Sequence, residues 1–398
     1  MVRRPLVWWE CVAGVVTAAA LMLMVGFTWE AGQSILPPPP APHCRPPLRG
    51  HPGLYPPPAP LLDLSATSLV ANSPACNTSP LLFVLLVMSH PSHASLRDAQ
   101  RKYASWQALD ALGARRVFFL ADSSRTGQSE YPAVPLATVL QESALHRDLV
   151  VADFQDHYRN LTYKHALALS WANRFCPHAH YLLKMDDDIM VDVWGVAKLL
   201  RAGLVVDRWG VVHAGSGGRR KLEPWGVWTA GLVQRGLKPQ RGSGKWRVTH
   251  GEYPGRVYPN FLAGWAYLAT HSAAAAIMRA AANVTPFWID DVHMTGTLAS
   301  AAGVPRYALN QHYTLVKSAA TCCLQGPQHR QENDHPWPLM APLCGLLVAP
   351  SEKNVSILET WLTTARACHE GGRCPRPLPN TCPPSYPHYG VGTVISLS

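Results

Sequence analysis

From residue 81 onward the chain repeats one pattern, a short apolar run followed by a longer amphipathic stretch. Leu81–Met88 is apolar throughout and is bounded by Pro80 and Ser89, which predicts a buried strand. It is too short to cross a membrane as a helix. A helical pattern runs from Leu96 to Leu112 and carries Arg97, Arg101, Lys102 and Trp106. Arg116–Leu120 predicts a second strand that ends at Ala121-Asp122, and a polar loop and a helix with Glu142 follow. Asp148–Phe154 predicts a third strand, and Tyr163–Asn173 a helix with Leu167 and Trp171 on one face. A fourth apolar run from Tyr181 ends in Asp186-Asp187-Asp188 before Ile189-Met190-Val191 resumes. Strands alternating with helices predict an α/β domain with a largely parallel sheet. Ligands of such sheets bind at the carboxyl ends of the strands, where the three acids fall.

The second half is less regular. Trp209–Ala214, Trp225–Leu232 and Lys245–Val248 read as strands around the glycine-rich turn Gly215–Gly218. Tyr258–Leu268 is aromatic, and an alanine-rich helix is expected over Ser272–Ala282. Phe287-Trp288-Ile289 then leads into a second acid pair, Asp290-Asp291, at an expected strand-to-helix junction, with the helix running through Leu298. An amphipathic stretch, Val355–Ala367, precedes a Cys- and Pro-rich end.

The N-terminus changes the picture. Arg3 and Arg4 precede a nearly unbroken apolar segment, Cys11–Trp29, which is 19 residues long. That is enough for a membrane-spanning helix, with the basic end cytosolic. The rival reading, a cleaved signal peptide, expects a shorter apolar region and a small-residue cleavage site. The division expected is a cytosolic tail (1–10), a signal anchor (11–29), a Pro-rich stem (30–80) and a lumenal folded domain (81–398) with a Cys-rich C-terminal tail. Four sequons, at Asn77, Asn160, Asn283 and Asn354, lie beyond the anchor. So do nine of the ten cysteines, which should largely pair in an oxidising lumen. Net charge is +10, without a Lys/Arg run that would argue for nucleic acid.

Three adjacent carboxylates cannot be buried without positive partners. A divalent cation such as Mn2+ or Mg2+ is the natural one, since hard cations take oxygen ligands. A calcium loop of the helix-loop-helix kind does not fit, because the sixth position from Asp186 is Val191 and the twelfth is Ala197. A metal site on one acid cluster and a carboxylate base on the other suit group transfer from a nucleotide-activated donor. Arg97 and Arg101 are candidates for phosphate or base contact, against the alternative of a solvated helix face.

The stretch Asp153-Phe154-Gln155-Asp156-His157-Tyr158-Arg159-Asn160-Leu161-Thr162-Tyr163-Lys164 resembles the D-F-x-D-x-Y-x-N-L-T-x-K block of the β1,3-galactosyltransferase family of Golgi glycosyltransferases (glycosyltransferase family 31). Asp186-Asp187-Asp188 is similar to that family's D-x-D motif, Tyr258-Pro259-Asn260-Phe261 with Gly264 and Tyr267 to its Y-P-x-Y-x-x-G-x-G-Y block, and Asp290-Asp291-Val292 with Gly296 to its E/D-D-V-x-x-G. The likeness covers roughly Leu81–Trp361. It implies a GT-A fold, a divalent metal, a UDP-sugar donor, a glycan acceptor on glycoprotein or glycolipid, and inverting transfer that forms a β1,3 bond in the Golgi lumen. It implies Asp188 as leading metal ligand, Asp186 near the ribose or diphosphate, and Asp187 as support. Asp291 is implied as the base, with Asp290 second. Gly264 and Tyr267 would shape a sugar pocket, and Lys164 would support the nucleotide side. The chain departs from the pattern at Trp265 and Ala266, and by two extra residues between Arg101 and Ser105-Trp106. The position of Asp290 is Glu in many galactosyltransferases of the family and often Asp in members that transfer N-acetylglucosamine, so both donors stay open. His312, the nearest match for a C-terminal metal histidine, is expected at the surface. The competing classes are an inactive lumenal homologue and a calcium-dependent sugar-binding protein.

Overall fold

Period-two alternation sorts each central strand between two cores. In β2 (Phe83–Met88), Phe83, Leu85 and Val87 enter one core, and Val84, Leu86 and Met88 the other. β3 (Ala114–Asp122) and β4 (Leu149–Gln155) divide likewise, which is why these runs are apolar on both faces. The first core is closed by α1 (Ala94–Tyr103), α2 (Trp106–Ala111), α5 (Val193–Ala202) and α8 (Val355–His369). The second is closed by α4 (Leu161–Phe175), α6 (His271–Ala281) and a π-helical turn, Val292–Leu298. The result is a three-layer α/β/α body. Further helices are α3 (Leu136–His146) and α7 (Lys317–Gln325).

These features come from a computed structural model that describes residues 68–76, 81–124, 131–215, 220–326, 328–330, 343–371 and 373–375. All fall within Tyr55–Ser398. The expected tail and anchor, most of the stem, and the Asn77 sequon lie outside the described residues. Among those described, no helix is long and apolar enough to cross a membrane.

The main sheet has eight strands in the order β1-β4-β3-β2-β5-β11-β10-β12. β1 is Ser68–Val70, β5 Tyr181–Asp186, β10 Thr229–Gln234, β11 Phe261–Thr270 and β12 Arg306–Ala308; β6 (Ile189–Val191), β7 (Leu204–Val206), β8 (Val212–Ala214) and β9 (Arg220–Leu222) belong to smaller sheets. The β4-β3-β2-β5 centre is parallel; β1 and β11 flank it antiparallel, β10 pairs antiparallel with β11 and so runs with the centre, and β12 pairs parallel with β10. The chain builds outward from β2 to β4 and then returns past β2 to β5. This reversal opens a crevice at the carboxyl ends of β2 and β5, the position at which open α/β sheets bind ligands.

Several expectations are corrected. The folded body begins before residue 81, because β1 pairs with β4 and Cys76 is disulfide-bonded to Cys176. The helix expected over Leu96–Leu112 breaks at Ala104-Ser105, where the Ser105 hydroxyl accepts from Ala108 N–H and starts a new helix. Lys245–Val248 forms no strand; Arg247 makes a lone bridge to Gln240. Phe287–Ile289 is irregular, so Asp290 and Asp291 do not follow a strand. Disulfides Cys323–Cys344 and Cys368–Cys374 also form.

Leu86 is fully buried in the central strand. Leu86→Ala should lower the unfolding free energy by about 2–5 kcal/mol, read from denaturant titration.

Candidate active site

β5 ends in the acid cluster because its alternation puts Lys184 and Asp186 on the same face, beyond Leu182. Lys184 is buried, yet its ammonium is held from three directions. It donates to Asp186 Oδ1 at 2.7 Å and to the Gly264 carbonyl at 2.5 Å, and lies 3.9 Å from Asp290 Oδ2. Burial opposes its charge, but Asp186 and Asp290 outweigh this and raise its pKa. One buried cation thus ties the two acid clusters together.

The three consecutive acids do different things. Asp187 is buried, and its Oδ2 accepts from Ser89 Oγ at 2.6 Å and His93 Nδ1 at 2.9 Å. That clamps the end of β5 to the end of β2. Asp186 and Asp188 stay half-buried at a cavity of about 450 Å3. Desolvation, then neighbouring carboxylates, push both above the ordinary carboxylate range, despite the pull of Lys184 on Asp186. Such a pair favours added positive charge. Among the described residues no three His, Cys, Asp or Glu side chains converge on one point. The donor set therefore suits a cation bound by one or two carboxylates and completed by phosphate oxygens, the habit of Mg2+-like ions. Arg159, Lys245 and Lys353 line the same cavity.

The second pair sits just before the π-helical turn, a rare geometry that concentrates at functional sites. Gly296 lies in that turn, where a Cβ would come 3.0 Å from Pro259 Cγ and 3.1 Å from Phe261 Cβ, so a larger residue would push the turn and β11 apart by a few tenths of an ångström. Asp290 accepts from His165 Nδ1–H at 2.9 Å. The carboxylate can only accept, which leaves His165 Nε2 to accept from Tyr267 Oη at 2.7 Å. Burial alone would raise the Asp290 pKa, but Lys184 and His165 hold it below the ordinary range. Asp291 receives the Gly264 N–H at 3.1 Å and the Val292 N–H at 2.8 Å. Desolvation and then the charge of Asp290 push it the other way, well above the ordinary range. Two adjacent carboxyl groups are thus driven apart, one a fixed anion and one a proton acceptor near neutrality.

Asp291 faces a second cavity of about 750 Å3, walled by Trp246, Tyr258, Phe261 and Trp265. The two cavities share Tyr158, Leu161, Asp186 and Asp290. They are the halves of one cleft, polar on the Asp188 side and aromatic on the Asp291 side.

The other expected site residues are arranged differently. Gly264 lines the aromatic cavity, and a Cβ there would sit 3.3 Å from Asp291 Cβ. Tyr267 does not line either cavity; it is buried behind Asp290 and touches it only through His165. Lys164 reaches the polar cavity, but its ammonium is bonded to Asp156 and to the Ser89 carbonyl. Arg97 and Arg101 are corrected most. Arg97 is wholly buried and its guanidinium binds Glu142, Ser89 Oγ and the His90 and Pro91 carbonyls. Arg101 grips Asp148 with two bonds and also binds Glu142 and Asp98. Neither lines the cleft. His312 is buried rather than at the surface, with Nδ1 against the Gly345 carbonyl. Sequence reasoning missed Lys184, His165 and Trp246 as site residues. For Lys184 the signal was present, a lysine inside an apolar strand.

The galactosyltransferase family model matches residues 112–310, half of the chain. Similar proteins include "Beta-1,3-galactosyltransferase 4" of Mus musculus, 32% identical over 64% of this chain and 70% of that protein. "Lactosylceramide 1,3-N-acetyl-beta-D-glucosaminyltransferase B" of Xenopus laevis is 30% identical over 60% of this chain and 59% of its own length. The human "Beta-1,3-galactosyltransferase 4" is 30% identical over 64% of this chain and 71% of its own.

Arg101→Met removes one partner from a buried ion-pair network, so it should cost about 3–5 kcal/mol in denaturant unfolding while UDP affinity stays within about twofold. Retained stability with lost UDP affinity would restore the arginine to ligand binding.

Proposed function

Because the chain belongs to the galactosyltransferase family and is a UDP-sugar glycosyltransferase, we propose that it moves galactose from UDP-galactose to a glycan hydroxyl with inversion, forming a β1,3 linkage. The observation that carries this reading is the division of one cleft between a carboxylate pair suited to a metal and a separate carboxyl group suited to a base. The parallel sheet centre with its cleft at the strand reversal supports a GT-A type fold.

The donor diphosphate lies on the Asp186 and Asp188 side, where Arg159, Lys245 and Lys353 balance its charge. Asp188 and Asp186 would hold a divalent cation, Mn2+ or Mg2+, which when bound neutralises the leaving diphosphate. The acceptor enters the aromatic half. Asp291 takes the proton of the attacking hydroxyl as its oxygen bonds to the anomeric carbon. The bond from that carbon to the diphosphate breaks with its electron pair, and UDP leaves. Asp290 is the weaker base, since Lys184 and His165 hold it as an anion. Its charge keeps Asp291 basic. The proposed roles of Gly264 and Tyr267 are to seat these two acids, Gly264 through its N–H and Tyr267 through His165.

N-acetylglucosamine is the second donor considered, supported by Asp290 in place of Glu and by the name of the frog relative. The acceptor is a glycan of glycoprotein or glycolipid. The apolar segment 11–29 would anchor the chain in the Golgi membrane with the catalytic body lumenal. The disulfides Cys76–Cys176, Cys323–Cys344 and Cys368–Cys374 support an oxidising compartment, and exposed Asn283 and Asn354 suit glycan attachment there.

Label transfer from UDP-galactose and UDP-N-acetylglucosamine to β-linked acceptors, with Mn2+ and with chelator, tests the reading. We expect metal-dependent transfer from one donor, abolished by Asp291→Asn; metal-independent transfer or an active variant would contradict it. A deprotonated Asp291 is required, and its pKa is raised. The logarithm of kcat/KM should therefore climb with pH and level off well above ~4, the ordinary carboxylate value. A plateau already complete near ~4 would contradict the base assignment.

A further inference from the structure

The segment joining β10 to β11, Arg235–Asn260, is long and irregular. Such connections are held by specific contacts or are functional. Arg241 holds this one. Its Nη1 donates to the carbonyls of Val248 at 3.0 Å and Thr249 at 2.9 Å, and its Nη2 to those of Tyr253 and Gly255, both at 2.8 Å. Four carbonyl groups on one planar guanidinium fix how the loop folds back. Val248 is buried against Tyr258, Phe261, Phe287 and Val292, and Glu252 is bridged to Arg159 at 2.6 Å.

What the loop delivers is Trp246. Its ring lines the aromatic half of the cleft, and its Nε1–H donates to Tyr158 Oη, which sets the ring's orientation. Tyr158 itself lines both halves. On the same aromatic wall Tyr258 is 9% exposed, and its hydroxyl is buried with no hydrogen-bond partner among the described residues. Tyr253 and Phe287 pack around its ring. A structural role accounts for the ring of Tyr258 but not for the hydroxyl, which as it stands is a cost to the fold. A pyranose offers what both groups lack. Its C–H face can lie on an oriented indole, and its hydroxyls can pair with a phenol.

We propose that Trp246 and Tyr258 form the acceptor-sugar subsite, platform and hydroxyl contact respectively, and that Arg241 is the positioning residue that holds the platform in place. The proposal rests on the glycosyltransferase reading of the cleft and names the part of it that recognises the acceptor. It implies that the loop is preformed, so that acceptor affinity does not bear the cost of ordering it.

The test uses the full-length chain in detergent with a p-nitrophenyl β-glycoside acceptor, taking the β-galactoside, β-N-acetylglucosaminide or β-N-acetylgalactosaminide that is turned over. Acceptor KM, UDP affinity with Mn2+ and Tm are measured for Tyr258→Phe, Trp246→Leu, Arg241→Lys and the double variant Arg241→Lys/Trp246→Leu. Tyr258→Phe should raise acceptor KM about tenfold with Tm unchanged or higher, because it deletes an unpartnered buried hydroxyl. Trp246→Leu should raise acceptor KM by about tenfold or more, with UDP affinity within about twofold of the unaltered chain. Arg241→Lys should raise acceptor KM about fivefold alone and add nothing in the Trp246→Leu background, because the two act as one unit. Unchanged acceptor KM in both aromatic variants would overturn the subsite. An Arg241 effect that adds in full to that of Trp246→Leu, with UDP affinity falling in step, would overturn the positioning role. If the unaltered chain fails to bind UDP, it is the underlying transferase reading that falls.

Discussion

A buried ammonium between two acid clusters governs this site. Lys184 is inside the protein, bonded to Asp186 and the Gly264 carbonyl and close to Asp290. An uncompensated charge there would cost several kcal/mol, so the carboxylates must stay where they are. The constraint also runs in reverse. Asp186 comes from β5 and Asp290 from an irregular segment, and each would repel the other without the cation between them. Gly264, on the neighbouring strand, completes the arrangement with its carbonyl toward Lys184 and its N–H toward Asp291.

The chemical division of the cleft follows. His165 and Lys184 fix Asp290 as an anion, and that anion raises the proton affinity of its neighbour Asp291. On the far side Asp187 is occupied by Ser89 and His93, which leaves Asp186 and Asp188 for whatever positive charge enters. The paired carboxylates Asp186 and Asp188 and the single raised carboxyl of Asp291 therefore face two halves of one cleft, which meet at Asp186 and Asp290.

Much of this was legible in the sequence, for physical reasons. β2 and the middles of β3 and β4 are buried on both faces and so read as apolar runs, and a strand ended by three carboxylates declares an edge with polar business. Other residues could not be placed, because their partners arrive from distant elements. Arg97 and Arg101 are spaced like a solvated or ligand-binding helix face, and only the approach of Glu142 and Asp148 consumes their charge. The family block implied Tyr267 as a pocket residue, but His165 comes between it and the cleft. Trp246 lies in Lys245–Val248, whose alternation reads as a strand but which is a loop organised by an arginine whose bonds go to backbone carbonyls. The break at Ser105 went unread, because apolar periodicity continues across it and only the capping bond from Ala108 N–H divides the helix.

The most direct measurement is calorimetric titration of Mn2+ and UDP into the unaltered chain, Asp188→Asn and Asp291→Asn. The account predicts that Asp188→Asn loses metal-dependent UDP binding, while Asp291→Asn binds UDP as the unaltered chain does. Equal loss in both variants, or loss confined to Asp291→Asn, would contradict the division of the cleft into a nucleotide side and a base side.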